Sequence, residues 1–80
     1  MNIIIYTKTG CPWCVEVLEF LKDNGVKFEE REVLKNPEFM EELIQKSGQN
    51  KTPTLDIEGD ILADTNAKAV EEFLKNKKII

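Results

Sequence analysis

The stretch Thr9-Gly10-Cys11-Pro12-Trp13-Cys14 decides the fold of this chain, and it contains the only two cysteines. It follows an apolar run, Ile3-Ile4-Ile5-Tyr6, and precedes a helical pattern over residues 15–21. A Cys-x-x-Cys pair at such a strand-to-helix junction is typical of a redox-active dithiol. Residues three apart in a first helical turn face the same way, so the two thiols can close into a small disulfide ring.

The position of Cys11 predicts a reactive thiol. Pro12 suits the first helical position because its missing N–H needs no partner there, which places Cys11 at or just before the helix N-terminus. Unpaired backbone N–H groups and the positive end of the helix dipole favour a thiolate there, and Lys8 adds a positive charge nearby. We therefore expect the pKa of Cys11 to lie below the free value of about 8.5. Cys14, one turn later on the apolar face, is expected to be shielded.

Three other interpretations of the cysteines stay open. A zinc site needs about four ligands, whereas the chain has two cysteines and no histidine. A structural disulfide across such a short gap constrains the unfolded chain little. Two unrelated buried thiols would more often have a wider spacing and no proline between them. A redox dithiol without a metal is therefore the favoured interpretation.

The composition predicts one small domain, residues 1–80, with 41% apolar residues for a single modest core. The net charge of −4 argues against nucleic acid or an anionic membrane as a partner. No apolar run is long enough to span a bilayer, and Met1-Asn2 leads directly into a strand, without the basic flank or cleavage site of a signal peptide. We therefore expect a cytoplasmic monomer. A reducing compartment also favours a catalytic over a structural Cys-x-x-Cys pair.

Hydrophobic periodicity and turn residues predict an α/β domain of order β-α-β-α-β-β-α. The predicted strands span residues 2–6, 26–33, 51–57 and 61–63. The predicted helices span residues 12–24, 37–47 after the cap Asn36, and about 64–76 with Asp64 or Thr65 as the cap. A tight turn at 58–60 makes the last two strands antiparallel, whereas the first β-α-β unit is a parallel crossover. These elements form a four-stranded mixed sheet with helices on both faces.

Apolar residues at helical spacing predict a core stripe on each helix. The stripes are Cys14, Val17, Leu18 and Leu21 on the first helix, Met40, Leu43 and Ile44 on the second, and Ala67, Val70, Phe73 and Leu74 on the third. Gly25 and Gly48 are expected to end the first two helices. Acidic residues around Phe28 place the second strand at a sheet edge, where charge discourages further pairing.

Five features of the sequence together resemble the glutaredoxin family over essentially the whole chain. They are Ile5-Tyr6-Thr7-Lys8, Cys11-Pro12-Trp13-Cys14, Gly25-Val26-Lys27-Phe28, Ser47-Gly48 and Thr52-Pro53. The resemblance implies a thioredoxin-like fold, with Cys11 as the nucleophile, Cys14 as the resolving thiol and a cis peptide bond before Pro53. Two roles stay open for Asp56: a buried proton acceptor for Cys14, or a solvated or locally bonded carboxylate.

The resemblance further implies a glutathione site beside Cys11. Thr52 would offer its backbone N–H and C=O to the cysteinyl part of glutathione, like an added strand. Lys8 would lie near the thiolate and the glycine carboxylate, and Trp13 would flank the groove where family members often carry Tyr. The start of the last helix would receive the γ-glutamyl carboxylate.

The chain departs from the family pattern at two places. Lys51-Thr52-Pro53 stands where the family has Thr-Val-Pro, and Leu62-Ala63 stands where it has Gly-Gly before the last helix. The missing glycines are expected to weaken the approach of the γ-glutamyl group. Asp64 and Thr65, the latter by side chain and N–H, then either serve that group or only cap the helix.

The leading functional hypothesis is a dithiol glutaredoxin, which reduces glutathione mixed disulfides and protein disulfides. Glutathione is its expected cosubstrate and disulfide-containing or glutathionylated proteins are its expected partners, with no bound cofactor. One alternative, favoured by a weakened glutathione site, is a ribonucleotide-reductase-type redoxin reduced by thioredoxin reductase. Another is a glutathione-ligated iron–sulfur carrier, against which the stiffening Pro12 argues.

Overall fold

The computed structural model describes residues 2–80, so the predicted start of the domain at Met1 lies outside the described residues. The elements follow the predicted order. They are β1 (Ile3–Thr7), α1 (Pro12–Asp23), β2 (Glu29–Glu32), α2 (Pro37–Ser47), β3 (Thr54–Ile57), β4 (Asp60–Leu62) and α3 (Ala67–Asn76). Within residues 2–80, no helix has the length and apolar character needed to cross a membrane.

The strands form one mixed sheet, as predicted, in the order β2-β1-β3-β4. Ile5 of β1 lies opposite Glu30 of the parallel β2 and opposite Leu55 of the antiparallel β3. β3 and β4 form the predicted antiparallel hairpin, in which Ile57 pairs with Asp60, so β4 begins one residue earlier than expected. The inner strands β1 and β3 therefore lie side by side, and the cysteines follow the end of β1.

Helices cover both faces of the sheet, as predicted, because successive residues of β1 point to opposite sides. Ile3 and Ile5 pack towards α1 and α3, whereas Tyr6 packs towards α2. The cluster on the α1–α3 side is the larger; its buried members are Ile3, Ile5, Val17, Leu21, Leu55, Ile57, Val70 and Leu74. The buried members on the α2 side are Tyr6, Val33 and Leu43.

Sequence signals set the ends of α1 and α2 as predicted. Pro12 opens α1, and Gly25 follows that helix at φ +66°. Asn36 caps α2, where its Oδ1 accepts the N–H of Glu38 at 3.1 Å, and Gly48 ends α2 at φ +74°. Glycine adopts these positive angles without steric cost, so the chain can turn sharply away from each helix.

Two strands are shorter than predicted. Val26 and Phe28 pack against the larger core cluster in the connection from α1, and only Glu29–Glu32 pairs with β1. This short, charged strand lies at the sheet edge, as predicted. The third strand begins at Thr54 instead of residue 51, because it follows Pro53, which has no N–H for a sheet ladder.

One predicted core position on α2 is wrong. Ile44 is 46% exposed, although its neighbour Leu43 is fully buried. Phe39, which was not predicted to be buried, packs against the α2-side cluster together with the predicted Met40. The buried face of α2 is therefore rotated towards Phe39 relative to the prediction.

The predicted cap of α3 is also wrong. Neither Asp64 nor Thr65 caps the helix; Asn66 does, and its Oδ1 accepts the N–H of Ala69 at 2.9 Å. Asp64 and Thr65 belong to a turn that precedes the cap. The N–H of Asp64 donates to the Thr54 hydroxyl, and the N–H of Thr65 donates to the carbonyl of Pro53. The helix consequently begins later than predicted, at Ala67.

Candidate active site

Cys11 lies at the junction between β1 and α1, where it is the N-cap of the helix. Its backbone is extended, with φ −95° and ψ 106°, and its sulfur accepts the N–H of Cys14 at 3.2 Å. The sulfur thus takes the place that an oxygen occupies in a common N-cap. The Cys11 N–H donates to the carbonyl of Lys8 at 3.2 Å, which closes the loop from β1.

The turn before β3 contacts the same sulfur. The peptide bond between Thr52 and Pro53 is cis, as predicted. The Thr52 hydroxyl lies 3.7 Å from the Cys11 Sγ, and the carbonyl of Thr52 lies 3.9 Å from it. Cys11 is therefore held between a helix N-terminus and the cis-proline turn, two segments 41 residues apart in sequence.

The two thiols have opposite electrostatic surroundings. Partial burial alone would raise the pKa of Cys11, but hydrogen bonds with Cys14 and Thr52 outweigh it and hold the pKa below its ordinary value. Burial raises the pKa of Cys14 to about 11, and its hydrogen bond to Cys11 adds to the rise. Cys14 is 2% exposed, and both cysteines are free thiols. The arrangement provides one half-buried thiol that ionises more easily than an ordinary cysteine and one shielded thiol.

A groove of about 400 Å³ lies beside the cis-proline turn. Its lining residues are Trp13, Lys51, Thr52, Asp64, Thr65 and Asn66. The indole of Trp13 is 60% exposed. The structure thus brings together four of the residues singled out for a small-thiol site, namely Trp13, Thr52, Asp64 and Thr65, with the buried Pro53 next to Thr52.

Lys8 lies in a different place. It lines a second depression, of about 410 Å³, whose wall includes Cys11, Val15 and Lys35. Lys8 therefore lines the same depression as Cys11 and does not line the groove formed by Trp13 and the turn before α3. A carboxylate bound near Lys8 would lie on the α1 side of Cys11.

The turn before α3 differs from the expected one. Asp64 has φ +51°, so the residue that occupies the left-handed region is Asp64, and neither Leu62 nor Ala63 requires a glycine. Leu62 packs against the larger core cluster and does not enter the groove. The N–H of Thr65 donates to the carbonyl of Pro53 at 2.9 Å, so it is not free for a ligand.

Of the two roles left open for Asp56, the structure shows the locally bonded carboxylate. Its carboxylate accepts hydrogen bonds from the ammonium of Lys46 at 2.8 Å and from the N–H of Gly59 at 2.8 Å. Burial would raise the pKa of Asp56, but the bonds from Lys46 and Gly59 hold it below its ordinary value. This carboxylate therefore stays ionised in a structural pair and is not the proton acceptor of Cys14.

Glu32 is a site residue that the sequence analysis missed. Its carboxylate accepts the N–H groups of Thr9 at 2.6 Å, Leu34 at 2.5 Å and Lys35 at 2.8 Å, and also the hydroxyl of Thr9. The Thr9 hydroxyl, together with these N–H groups, lowers the pKa of Glu32 to about 2. The end of β2 thereby fixes the loop that leads into Cys11. The sequence signal was weak, because acidic residues on an edge strand are ordinarily solvated.

Within residues 2–80, no group of three or more Cys, Asp, Glu or His side chains is placed to hold a metal ion. Cys11 lies between the start of α1 and the cis-proline turn, and Cys14 lies in the first turn of α1. Their arrangement suits exchange between thiols and disulfides, because a half-buried thiol with a lowered pKa has a second thiol one helical turn away.

Comparison with known proteins agrees with this chemistry. The family model described as Glutaredoxin matches residues 3–62. A glutaredoxin-like 8.6 kDa protein encoded in the rubredoxin operon of Clostridium pasteurianum is 29% identical over 73 residues, which cover 91% of this chain and 97% of that protein. Glutaredoxin 3 of Escherichia coli K12 is 37% identical over 57 residues, which cover 71% of this chain and 69% of that protein.

Solved structures show the same fold. The crystal structure of a glutaredoxin (grx-1) from Archaeoglobus fulgidus is similar to this structure with a TM-score of 0.77 and 27% identity. The match covers 90% of this chain and 84% of that one. With a thioredoxin-like fold and a Cys11–Cys14 dithiol that suits thiol–disulfide exchange, the chain belongs to the glutaredoxin family.

Proposed function

We propose that this protein is a dithiol glutaredoxin that uses glutathione to reduce glutathione mixed disulfides and protein disulfides. The observation that carries the proposal is the position of the Cys11 sulfur. It accepts the N–H of Cys14 at 3.2 Å and lies 3.7 Å from the hydroxyl of Thr52, whose residue also lines the groove beside Trp13. A nucleophilic thiolate and a ligand groove therefore share one residue.

Glutathione mixed disulfides need only Cys11. Its thiolate attacks the glutathione sulfur of the mixed disulfide, forms a Cys11–glutathione disulfide and releases the substrate as a thiolate. A second glutathione thiolate then attacks the glutathione sulfur of that intermediate. The products are oxidised glutathione, one half of which comes from the substrate, and the regenerated Cys11 thiolate, so the cycle consumes one free glutathione for each substrate thiol released.

Protein disulfides also need Cys14. Cys11 attacks one sulfur of the substrate disulfide, and Cys14 then attacks the Cys11 sulfur of the mixed disulfide, which releases the reduced protein and forms a Cys11–Cys14 disulfide. Two glutathione molecules in turn reduce that disulfide and leave as oxidised glutathione. The pKa of Cys14 is about 11 in the dithiol state, raised first by burial and then by the hydrogen bond to Cys11. Once Cys11 is in a disulfide it no longer carries charge, so Cys14 ionises more easily at the step that needs it.

The groove has groups suited to glutathione. The N–H of Thr52 has no hydrogen-bond partner among the described residues and can pair with the cysteinyl backbone of glutathione. Trp13 offers an exposed aromatic wall at the same place. Lys8 beside Cys11 is suited to the glycine carboxylate. In this proposal the protein works as a cytoplasmic monomer, with glutathione as cosubstrate and no bound cofactor.

The γ-glutamyl end has a mixed environment. The first N–H groups of α3, at Ala67 and Lys68, have no partner within the helix and suit a carboxylate. The Asp64 carboxylate in the same groove repels that carboxylate and attracts the neighbouring amine. We therefore expect functional but weakened use of glutathione.

A second candidate is a redoxin reduced by thioredoxin reductase. Two observations favour it: Asp64 places a negative charge in the groove, and the Thr65 N–H is already bonded to Pro53. Both features weaken the γ-glutamyl site and leave the Cys11–Cys14 pair intact. The same dithiol chemistry would then draw its electrons from a protein.

A coupled assay distinguishes the two reductants. The protein would be given a glutathionylated peptide, with NADPH oxidation followed in the presence of either glutathione and glutathione reductase or thioredoxin reductase alone. Saturable turnover with glutathione, well above that with thioredoxin reductase, is the expected result. Turnover with thioredoxin reductase only would overturn the glutathione proposal and establish the second candidate.

A further inference from the structure

Thr54 forms a hydrogen-bonded link between the two segments that build the groove. It is the first residue of β3, and its side chain is fully buried. Its hydroxyl donates to the carbonyl of Lys51 at 2.9 Å and accepts the N–H of Asp64 at 3.2 Å. Lys51 and Asp64 both line the groove, whereas Thr54 itself does not.

This link has one backbone companion. The N–H of Thr65 donates to the carbonyl of Pro53 at 2.9 Å, so the cis-proline turn and the turn before α3 are joined at two adjacent points. The Thr54 hydroxyl is the side-chain half of this connection. It can fill both roles at once because a hydroxyl is a donor and an acceptor, which an aliphatic side chain of the same shape is not.

The link also bears on an unusual backbone conformation. Asp64 has φ +51°, a region that costs a residue with a side chain more than it costs glycine. The N–H of Asp64 points to the Thr54 hydroxyl, so this bond favours the left-handed conformation over alternatives. Without it, the Thr65–Pro53 bond is the remaining described hydrogen bond between this turn and the cis-proline turn.

We propose that Thr54 is a positioning residue that sets the geometry of the groove and thereby the affinity for glutathione. The inference rests on the proposed glutathione function. Thr54 touches neither the ligand nor the reacting sulfur; it holds the Asp64 turn opposite Thr52. Its hydroxyl therefore affects binding of the γ-glutamyl end and leaves the intrinsic reactivity of Cys11 unchanged.

The test compares Thr54→Val, Thr54→Ala and Thr54→Ser with the wild-type protein. Val keeps the shape and removes the hydroxyl, and the Ser and Ala variants form a second pair that differs only in the hydroxyl. The control is Ser47→Ala, because Ser47 is a partly buried residue whose hydroxyl bonds to the carbonyl of Leu43 at 2.7 Å and which lines neither the groove nor the depression beside Lys8.

Three quantities are measured on each variant. They are the KM for glutathione in the coupled assay, the rate of Cys11 alkylation by iodoacetamide, which needs no groove, and the amide hydrogen exchange of Asp64 and Thr65. We expect Thr54→Val and Thr54→Ala to raise the KM about threefold to tenfold, the size of one hydrogen bond, with faster exchange at Asp64 and unchanged alkylation. Thr54→Ser and Ser47→Ala should behave like the wild type.

Equal KM values in the Ser and Ala variants would overturn the inference, as would a loss of alkylation rate that parallels the rise in KM. If Thr54→Val does not fold, the Ser and Ala pair gives the same comparison. A wild-type protein without glutathione turnover would refute the proposed function instead. In that case unchanged Asp64 exchange in Thr54→Ala would still reject the link, so the two failures are distinguishable.

Discussion

The two walls of the groove beside Cys11 are held together by different kinds of contact. One wall is the turn at residues 11–14, here called the cysteine wall, which contributes Trp13 to the groove. It lies within one helical turn, and the Cys11 sulfur accepts an N–H only three residues away. The opposite wall joins the cis-proline turn to the turn before α3 through bonds from Asp64 to Thr54 and from Thr65 to Pro53. The reactivity of Cys11 is therefore built mainly from local geometry, with Thr52 as its one described tertiary contact, whereas recognition depends on tertiary contacts throughout.

The comparison predicts that substitutions in the cysteine wall have the largest effect on the rate of disulfide reduction. Cys11→Ser should lower activity on every disulfide at least about a thousandfold, because a hydroxyl is not ionised near neutral pH as the activated thiol is. Cys14→Ser should retain much of the activity on a glutathionylated peptide and lose that on a protein disulfide. Coupled assays with both substrates measure the two effects.

Serine at each position is the matched control for the other. Both substitutions replace sulfur by oxygen within the same turn of α1, so a general loss of folding would affect both substrates in both variants. An active Cys11→Ser protein, or a Cys14→Ser protein that is inactive on the glutathionylated peptide, would reverse the assigned roles.

Alkylation gives a second, smaller contrast within the same wall. The pKa of Cys11 lies below its ordinary value and that of Cys14 is about 11, and the thiolate fraction falls about tenfold for each pH unit below the pKa. Iodoacetamide at about pH 6 should therefore label Cys11 first, by at least about a hundredfold. Mass spectrometry of the peptides locates the label. Preferential labelling of Cys14 would contradict the assignment.

The sequence predicted the cysteine wall better than the opposite one for a physical reason. A Cys-x-x-Cys pair at a strand-to-helix junction and a proline at the first helical position act within a few residues. The Thr52–Pro53 turn was also foreseen, since its proline opens a strand. These features specify their own local structure almost independently of the rest of the chain.

The turn before α3 could not be predicted in the same way. Asp64, Thr65 and Asn66 are all good capping residues, and nothing local distinguishes them. The choice is made by Thr54 and Pro53, which bind the N–H groups of Asp64 and Thr65 and leave Asn66 to cap. Such a choice depends on the folded sheet. The exposure of Ile44 is a similar case, because periodicity alone does not fix the rotation of a short helix.

The charge of Asp64 provides a test of glutathione recognition by the wall opposite the cysteines. Asp64→Asn removes the charge and keeps a residue that tolerates φ +51°. Because the carboxylate repels the γ-glutamyl carboxylate, the KM for glutathione should fall about twofold to fivefold, the range of a partly exposed charge interaction. Cys11 alkylation should stay unchanged. A rise in KM would mean that Asp64 binds the amine of glutathione more than it repels the carboxylate.

Glu58→Gln is the matched control for that substitution. Glu58 is also an acidic residue with a positive φ, at +53°, but it lies in the β3–β4 hairpin outside the groove. Glu58→Gln changes the net charge of the protein by the same amount as Asp64→Asn. If it lowered the KM as much as Asp64→Asn, the effect would come from the overall charge of the protein and not from the groove.

Glu32 makes part of the folding stability depend on pH, through its bonds to the loop at Thr9 that leads into Cys11. Hydrogen bonds from Thr9 lower its pKa from 4.5 to about 2 in the folded state. A carboxylate with a depressed folded pKa contributes stability that is complete above its unfolded pKa and lost as the pH falls through the folded one. The excess stability of the wild type over Glu32→Gln should therefore be constant above about pH 5 and disappear towards pH 2. Urea denaturation measures it, and a difference that persists unchanged at pH 2 would contradict this role.

The smallest expected effect belongs to Thr65. Its N–H is engaged with Pro53, so only its hydroxyl can contact a ligand in the groove. Thr65→Ala keeps the backbone bond and removes that hydroxyl, which should raise the KM for glutathione about twofold to threefold, less than the loss of a buried link such as Thr54. The rate of Cys11 with a small disulfide should change little, because the cysteine wall is independent of this turn. If neither quantity changes, the γ-glutamyl group lies elsewhere and reduction by thioredoxin reductase becomes the stronger hypothesis. If the KM rises and the rate of Cys11 falls together, the two walls are coupled, and the separation of local reactivity from tertiary recognition is wrong.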